Sequence, residues 1–582
     1  MIFKNKKLHN TAFWASVIGI FAFIIDFGFA QNTLFQQIID GFYFIVITLG
    51  ISSTIVRYFA NKSLLKRKFF LFDFITVSYS LYILFLYIFI GEAFKTDLIL
   101  ANPTWVVLAV ILSFIREFFE LKLNLTRTYL NPAQLFIFSF LSIILVGTLL
   151  LMLPKATYNG ISFIDALFTS TSAVCVTGLI VVDTSTYFTL FGQTIILFLI
   201  QVGGLGILTF ASYFSYFFKG GTTYENQLTL SEMTNSQKIG DVFKTLKHII
   251  VITITVELVA AILIFLSLDK SQIERFSDKA FFSIFHSISA FCNAGFSTLT
   301  NSIYESGFRF NYPLQLVIIA TFILGGLGFP IVVNIVKYTK HKLTNLFRFQ
   351  NNKKVYKPWI INLNSRITLI TTLTLTFVGF FLFLIFEYNN TLAEHSFFGK
   401  LVNALFGAAT PRTAGFNAVD MTALAMPTIM ITFLLMWIGA SPASTGGGIK
   451  TSTFAIATLN ILSLAKGKSR IEVYRREIAD ISVKRAFATI SLSLAVIGFS
   501  IVLVTVFDPE IELLKIAFES FSAYSTVGLS LGITASLSTA SKFIIIGVMF
   551  IGRVSMLSIF VAFFKKIKHK NYRYPTEEIT IN

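Results

Sequence analysis

Four short copies of one sequence motif recur along this chain, and they constrain its fold more than any other feature. Each copy is a short apolar segment, rich in small and hydroxyl side chains, that closes on a glycine turn. The closing glycines follow one another at intervals of 117, 120 and 113 residues. A period that regular, with similar residues at each phase, indicates an internal structural repeat. The copies are residues 163–179, 280–296, 399–416 and 512–529, which close on Gly178, Gly295, Gly415 and Gly528.

Each copy lies between two long apolar segments, so one repeat consists of a span, a short helix, a turn and a second span. A helix of 11 residues, such as 163–173, is only about 16 Å long, roughly half of a ~30 Å hydrocarbon layer. Backbone that leaves a helix at that depth must be buried in protein or face water. The four turns therefore predict a shared, water-accessible centre. The long segments lie near 134–153 and 190–218, 246–267 and 313–337, 367–387 and 427–460, and 487–507 and 541–564.

The composition agrees with a membrane setting. Of the 582 residues, 55% are hydrophobic and 13% are charged, and the mean hydropathy of +0.76 lies outside the range of soluble domains. We predict an all-α integral membrane protein of four fused span–pore helix–span repeats with pseudo-fourfold symmetry, preceded by a bundle of about four transmembrane helices. The predicted domains are the N-terminal bundle 1–130, pore repeats 131–240, 241–345, 346–480 (with an intramembrane gate loop) and 481–570, and a tail 571–582.

The net charge of +18 does not indicate a nucleic-acid-binding surface, because Lys and Arg are spread over the short links between spans. This distribution follows the positive-inside rule and predicts a multi-pass protein of the inner (plasma) membrane with a cytoplasmic C-terminus. The basic start before a long apolar stretch that contains Asp26 favours a retained span over a cleaved signal peptide. The basic links cluster at residues 62–68, 337–357, 466–476 and 565–570.

The closing turns carry the chemistry expected of a cation pathway. A ring of backbone carbonyls can replace the hydration oxygens of a cation without adding a fixed charge that would trap it. Glycine tolerates positive φ, so a glycine turn can direct successive carbonyls toward one axis, and the negative end of each preceding helix favours a cation there. The hydroxyl groups expected to hold the turns belong to Ser170, Thr171, Ser172, Ser287, Ser289 and Ser522.

Glycines also serve as packing points between membrane helices. The four closing glycines share the same preceding small and hydroxyl residues, and this repeated context favours the ring interpretation for them. A second set of glycines lies on the following spans and lacks that context, so a packing role is predicted: Gly203, Gly204, Gly206, Gly325, Gly326 and Gly328.

A glycine-rich break interrupts the second span of the third repeat. Residues 439–450 contain Pro442 and three consecutive glycines, which cannot form a stable helix interior. We predict that the segment unwinds below the turns, where it either blocks and opens the path or forms a static kink. It is not a phosphate-binding loop, because an isoleucine separates the last glycine from Lys450 and no strand precedes it.

Arg553 lies within the last predicted span. An unpaired arginine there costs on the order of 3 kcal/mol, so its side chain is expected to face the protein interior. It either lies below the turns and repels cations, or pairs with a buried acid such as Glu257 or Glu519. His286 and Arg412, beside the turns, are interpreted as structural groups rather than ligands.

The four turns, the Gly446–Lys450 break and the Gly552–Arg553 pair together resemble the Trk/Ktr/HKT superfamily of potassium transporters, over about residues 132–570. The resemblance implies a channel-like pore for gated potassium uptake, a homodimer, and a cytoplasmic ring of nucleotide-binding regulatory subunits of the TrkA or KtrA type. It implies no cofactor in this chain, only potassium as the transported ion. A serine at the first filter glycine tends to accompany sodium transport in this superfamily, so Gly178 favours potassium.

The resemblance also implies which residues bind and gate the ion. Gating would fall to Gly446, Gly447, Gly448, Lys450 and Arg553. The selectivity filter that would hold potassium is Val176, Thr177 and Gly178; Asn293, Ala294 and Gly295; Thr413, Ala414 and Gly415; and Thr526, Val527 and Gly528.

Residues 1–130 depart from the shorter members of this superfamily. The stretch 51–120 is similar to a voltage-sensing bundle, but only Arg116 would serve as a gating charge, so a packing or assembly role is favoured. Its four spans are predicted near 11–30, 38–60, 69–91 and 103–118.

Three other functions were weighed against potassium uptake. Sodium or sodium-coupled potassium transport is the main alternative, because each turn carries a single glycine and few ion sites are expected. A membrane enzyme would need paired carboxylates or a histidine cluster, and the scattered acids and six histidines provide neither. A non-transporting scaffold would not account for the four repeated turns. Cys175 and Cys292, both in predicted membrane segments, indicate no disulfide framework or metal site.

Overall fold

The computed structural model of the chain describes residues 2–60, 70–90, 104–118, 132–206, 242–347 and 361–564. Several predicted features lie outside the described residues. These are the basic links 62–68 and 348–357, residues 207–218 of the first repeat's second span, the basic stretch 565–570 and the tail 571–582.

The N-terminal part is a four-helix bundle, as predicted. Its helices are Ile2–Gly28, Thr33–Ala60, Phe70–Ile90 and Thr104–Phe118. Their apolar faces meet in a core that includes Tyr43, Val46, Ile47 and Val110.

The rest of the described chain is four helical repeats in the predicted order. We call the parts of each repeat its outer helix, pore helix and inner helix. Repeat 1 consists of Pro132–Leu151, Phe163–Cys175 and Leu190–Leu205, and repeat 2 of Val242–Ser267, Phe276–Cys292 and the pair Tyr312–Gly326 and Phe329–Phe347. Repeat 3 consists of Leu363–Glu387, Phe397–Ala409 and the pair Met426–Trp437 and Thr451–Ala465, and repeat 4 of Asp480–Phe507, Leu513–Ser525 and the pair Thr539–Val554 and Met556–Phe563.

Short elements complete the described chain. Between repeats 3 and 4, the strands Glu472–Val473 and Arg476–Glu477 pair in an antiparallel hairpin. The 3₁₀ helices Ser302–Tyr304, Met421–Ala423 and Thr534–Ser536 follow the closing turns of repeats 2, 3 and 4.

Two inner helices predicted to be continuous are broken, so the predictions for 313–337 and 541–564 were wrong in this respect. Inner helix 2 bends by 107° after Gly326, and Gly328 takes a φ of +85°. Inner helix 4 breaks at Ser555, where φ is +72°. Both breaks lie inside long segments that are apolar on average, so mean hydropathy did not reveal them. Within the described residues, five helices are long and apolar enough to cross a membrane alone, and the bent pair would make a sixth.

The N-terminal bundle joins the pore repeats through the end of its first helix. The amide of Lys155, just after outer helix 1, donates to the carbonyl of Gly28 at 3.0 Å, and its Nζ donates to the carbonyl of Asp26 at 3.2 Å. Phe27 packs on Phe191 of inner helix 1, with ring centroids 6.1 Å apart. The bundle is therefore attached to repeat 1 just after its outer helix and at its inner helix.

Buried ion pairs tie the helices of the bundle together. Arg57 on the second helix pairs with Glu117 on the fourth. Arg116, which a voltage sensor would have used as its charge, pairs with Asp73 of the third helix at 2.5 Å. All four side chains are at most 7% exposed. Two opposite charges in an apolar interior depend on each other, because each alone would be costly to bury.

We expect Glu117→Ala to destabilise the protein by about 3–5 kcal/mol, because Arg57 would remain buried without its counter-charge. The measurement is thermal unfolding of the purified protein in detergent. The matched control is Glu477→Ala, which removes an exposed pair with Arg470 (3.6 Å) and should cost no more than about 1 kcal/mol. Equal melting temperatures for the two variants would contradict the expectation, and Arg57→Met combined with Glu117→Ala should recover part of the loss.

Candidate functional site

All four closing turns adopt the same backbone conformation. The first residue of each turn has positive φ: Val176 58°, Asn293 59°, Thr413 74° and Thr526 50°. The closing glycine two positions later is also in this region, at 92°, 69°, 78° and 90° in Gly178, Gly295, Gly415 and Gly528. Left-handed backbone is unfavourable for β-branched residues, so the surrounding structure must hold Val176, Thr413 and Thr526 in place.

The four turns meet in one closed ring. Each closing glycine lies directly against the middle carbonyl of the next repeat, so closely that an added Cβ would collide with or crowd it. Gly178 faces the oxygen of Ala294, Gly295 that of Ala414, Gly415 that of Val527, and Gly528 that of Thr177, which returns to repeat 1. We call residues 176–178, 293–295, 413–415 and 526–528 the turn ring. The structure thus brings together all twelve residues predicted for ion binding.

Hydroxyl groups of the pore helices hold the turn ring in two ways. In repeats 1 and 4 the hydroxyl oxygens of Ser172 and Ser522 accept from the amides of Gly178 and Gly528, both at 3.1 Å. In repeats 2 and 3 the hydroxyls donate to a carbonyl just past the glycine: Ser289 to Phe296 at 2.7 Å and Thr410 to Phe416 at 2.5 Å. Thr410 was missed in the sequence, because its repeat carries one residue fewer between the hydroxyl and the glycine.

Two of the predicted turn-holding serines have a different role. Ser170 donates to the carbonyl of Ile144 at 2.7 Å, and Ser287 to that of Glu257 at 2.5 Å. Both acceptors belong to outer helices. These serines therefore anchor the pore helices to the outer helices instead of holding the turns.

Glycines on the inner helices let those helices approach the ends of the pore helices. Gly203, Gly325 and Gly552 each lie against a backbone carbonyl, and a Cβ there would overlap the oxygen. The packing role predicted for Gly203 and Gly325 is thus observed, whereas Gly206 (φ 74°) and Gly328 (φ 85°) end or bend their helices instead. The three carbonyls belong to Val174, Phe291 and Tyr524, each four residues before a closing glycine.

A vestibule opens on one side of the turn ring. Its volume is about 430 Å³, and its floor includes all four closing glycines. Asp183 and Asp420 line its wall, and both carboxylates accept from amides two residues on, at 2.9 Å. Sequence reasoning missed these acids, although each follows its closing glycine by five residues. Carboxylates at the mouth of a narrow path favour the entry of cations.

On the other side of the turn ring lies the predicted break in inner helix 3. The helix ends at Trp437 and resumes at Thr451, as expected from the glycine-rich sequence. Gly446 lies against the hydroxyl of Thr413, and Gly447 against that of Thr526. We call residues 438–450 the intramembrane loop, and it lies directly below two turns of the ring.

Basic side chains hold the intramembrane loop in this position. Arg553 donates to the carbonyls of Thr445 and Gly203, the second at 2.5 Å. Lys450 Nζ donates to the carbonyls of Gly446 and Gly447, at 2.6 and 3.4 Å.

The loop also docks on the bend of inner helix 2. The amide of Ser441 donates to the carbonyl of Gly326 at 3.0 Å, and the amide of Phe329 donates to that of Ala443 at 3.1 Å. The carbonyl of Pro442 occupies the space beside Gly328. The bend therefore makes room for the loop.

The alternative expectation for Arg553, an ion pair with Glu257 or Glu519, was wrong. Among the described ion pairs Arg553 has no acidic partner, since its partners are carbonyls. Glu257 instead accepts from Gln201 Nε2 at 3.3 Å, and Glu519 accepts from the hydroxyl of Thr534.

His286 and Arg412 are structural groups, as predicted. His286 is bonded to Phe282 and Ser297, and Arg412 donates to the carbonyls of Thr372 and Gly439 at 3.3 and 3.4 Å. No cluster of His, Cys, Asp and Glu suited to a metal ion occurs in the described part of the chain.

Sequence comparison identifies relatives over most of the chain. The profile of the TrkH family, described as a cation transport protein, matches residues 105–574. The Ktr system potassium uptake protein B of Bacillus subtilis is 38% identical over 451 residues, which cover 77% of this chain and 96% of that protein. The potassium/sodium uptake protein NtpJ of Enterococcus hirae is 36% identical over 465 residues, which cover 78% and 98%.

A solved structure shares the fold. The potassium transporter TrkH from Vibrio parahaemolyticus matches with a TM-score of 0.58 at 17% sequence identity, over 85% of this chain and 97% of that one. The predicted fold class of four fused pore-loop repeats with an additional N-terminal bundle is confirmed.

We expect Gly552→Ala to destabilise the protein by about 1–3 kcal/mol or more, because the new methyl group would collide with the carbonyl of Tyr524. The control is Gly547→Ala on the same helix, where nothing lies within 4 Å of the added Cβ. That variant should be neutral or stabilising by about 0.5–1 kcal/mol, since alanine favours helix. Thermal unfolding in detergent compares the two, and a Gly552→Ala protein as stable as Gly547→Ala would refute the close approach.

Proposed function

Because the chain belongs to the TrkH family of cation transport proteins, we propose that it takes up potassium ions across the membrane through the turn ring. It is a transporter and not an enzyme. The observation that carries the proposal is the closed ring of glycines and carbonyls from Thr177, Ala294, Ala414 and Val527. Similarity to a potassium uptake protein over 77% of the chain supports the choice of ion.

The twelve residues of the turn ring are proposed to form the selectivity filter. Carbonyl oxygens replace the hydration shell of the ion, and the absence of a fixed charge lets the ion leave again. The ends of the four pore helices add negative partial charge around the ring. Asp183 and Asp420 in the vestibule raise the local cation concentration. Uptake then follows the membrane potential, which contributes about 2.3 kcal/mol per charge per 100 mV.

Sodium transport, alone or coupled to potassium, is the second candidate. The relative NtpJ is described as a potassium/sodium uptake protein, and each turn here is short. Glycine closes all four turns, which favours potassium over sodium in our proposal.

The intramembrane loop is proposed to be the gate. Gly446, Gly447 and Gly448 lie under the turn ring, where Lys450 and Arg553 bond to loop carbonyls. These bonds hold the loop across the path and place two basic side chains below the filter. Opening requires the loop to withdraw, and its three glycines give it the backbone freedom to do so.

We also propose an orientation in the membrane and partner subunits for this protein. We place the C-terminus in the cytoplasm on the basis of the basic links. A homodimer with a cytoplasmic ring of nucleotide-binding subunits fits a relative described as protein B of a Ktr system. Residues 1–130 would be a separate bundle attached to repeat 1, with the pore repeats bounded as predicted.

We expect Gly178→Ser to reduce the preference for potassium over sodium by about tenfold or more, because its side chain would press on the carbonyl of Ala294 and distort the ring. Rubidium uptake into proteoliposomes, with sodium and potassium as competitors, measures the preference. The control is Gly160→Ser, since Gly160 has a similar φ of 75° but nothing within 4 Å of an added Cβ. A parent protein that prefers sodium would overturn the choice of ion.

We expect Arg553→Gln to increase rubidium flux severalfold without changing ion preference, because the loop would lose its charged hydrogen bonds to Thr445 and Gly203. Arg553→Lys distinguishes two causes. If the positive charge itself limits permeation, the lysine variant keeps the low parental flux; if the paired bonds hold the loop shut, it conducts as the glutamine variant does. Unchanged flux in both variants would argue against a gating role for Arg553.

A further inference from the structure

Two diagonally opposite turns of the ring carry an additional side-chain bond that spans the turn. In repeat 2 it joins His286, nine residues before Gly295, to Ser297, two residues after it. In repeat 4 it starts from Glu519, nine residues before Gly528, and reaches the segment that begins with Ser530, two residues after it. The ring order of the glycine contacts places repeats 2 and 4 across from each other.

The bond in repeat 2 has a defined direction. His286 Nδ1 lies 3.0 Å from the carbonyl of Phe282, which can only accept, so Nδ1 carries the proton. Nε2 of the neutral ring then accepts from the hydroxyl of Ser297 at 2.9 Å. The imidazole is fully buried and stacks on Phe282 with ring centroids 3.9 Å apart. Its other face approaches Phe416, the residue that follows the closing glycine of repeat 3.

In repeat 4, Glu519 and Thr534 make the corresponding bond across the turn, in place of the histidine and serine of repeat 2. The hydroxyl of Thr534 donates to Glu519 Oε1 and lies 3.0 Å from the hydroxyl of Ser530. Glu519 is 1% exposed, and within the described structure its second oxygen has no hydrogen-bond partner. Burying a carboxyl group costs free energy, so the burial of Glu519 beside the turn indicates a specific role.

The other two repeats have no such bond at the equivalent positions. In repeat 1 the equivalent residues are Thr169, which donates to the carbonyl of Asp165 within its own helix at 2.8 Å, and Ile180. Repeat 3 has one residue fewer before its closing glycine, so its residue at the first position, three before Thr410, is Gly407, which has no side chain to make such a bond.

We infer that His286 with Ser297, and Glu519 with Thr534 and Ser530, are positioning groups that fix one diameter of the turn ring and thereby set its ion preference. This inference rests on the proposed function. A carbonyl ring whose oxygens resist moving inward or outward discriminates between ions of different size. Each cross-turn bond ties the chain that leaves the turn to the helix that enters it, and two opposite turns held in this way restrict the ring across its whole width.

The test uses small changes on the outgoing side of each turn. Thr534→Val removes the donor to Glu519 with almost no change in volume, and Ser297→Ala removes the donor to His286. Each is expected to lower the ion preference of the full-length protein by about five- to tenfold, the range of one hydrogen bond, with maximal rubidium flux within about twofold of the parent. Thr169→Val is the matched control, because it removes only a bond within its own helix.

Two further variants separate positioning from general destabilisation. Glu519→Gln keeps an acceptor for Thr534 and should retain the parental preference, whereas Glu519→Leu should behave as Thr534→Val. The double variant Glu519→Leu with Thr534→Val should be no worse than either single one, since both remove the same bond. Additive losses in the double variant, or equal preferences in Thr534→Val, Ser297→Ala and Thr169→Val, would overturn the inference.

A second readout does not depend on flux. Potassium and sodium should raise the melting temperature of the detergent-solubilised parent by different amounts, because an ion that binds the folded state stabilises it. The difference should shrink in Thr534→Val and Ser297→Ala and persist in Thr169→Val. A parent that prefers sodium in both assays would refute the choice of potassium, yet the variants would still have to weaken that preference for the inference to stand.

Discussion

Backbone that leaves a helix inside a membrane must satisfy its hydrogen-bonding groups or turn them toward water, and this constraint organises the whole pore region. In the turn ring, the backbone amides and the backbone carbonyls differ in what they contact. Amides of Gly178 and Gly528 find hydroxyl acceptors on their own pore helices. The middle carbonyls lie at the contacts between repeats. The inner-helix glycines follow from the same constraint, because only a residue without a side chain lets an inner helix lie against a pore-helix carbonyl.

The turn ring could be predicted from the sequence because its motif occurs four times. A single glycine turn would have been one small-residue contact among many, whereas four copies with matching hydroxyl residues indicated four equivalent backbone structures. The interruption of inner helix 3 could also be predicted, since a stable helix interior does not tolerate the proline and three glycines of residues 439–450. Repetition of the motif was sufficient to predict the turn ring, and local residue chemistry was sufficient to predict the helix break.

Other features depend on contacts between distant parts of the chain, and these were missed. The bend at Gly328 lies in a mostly apolar segment, and Pro442 and Ala443 from another repeat dock on it. For Arg553 the sequence left two alternatives open, a position below the turns or an ion pair with a buried acid, and the structure shows it bonded to two backbone carbonyls from other parts of the chain. The cross-turn bonds use a histidine in one repeat and a glutamate in another, so similarity between repeats does not reveal them.

The position of the intramembrane loop has a consequence for how such a pore can be built. The loop lies beneath the turn ring, and among the inner helices as far as the structure describes them, inner helix 3 is the one interrupted by a segment of this length. Four identical subunits would each bring such a loop to the same region, where the four copies would compete for space. Fusion of the repeats into a single polypeptide removes that conflict, since each quarter can diverge independently of the others. Symmetry is then kept in the turn ring, where the four repeats make matching backbone contacts, and is lost beneath it, where one repeat supplies the loop.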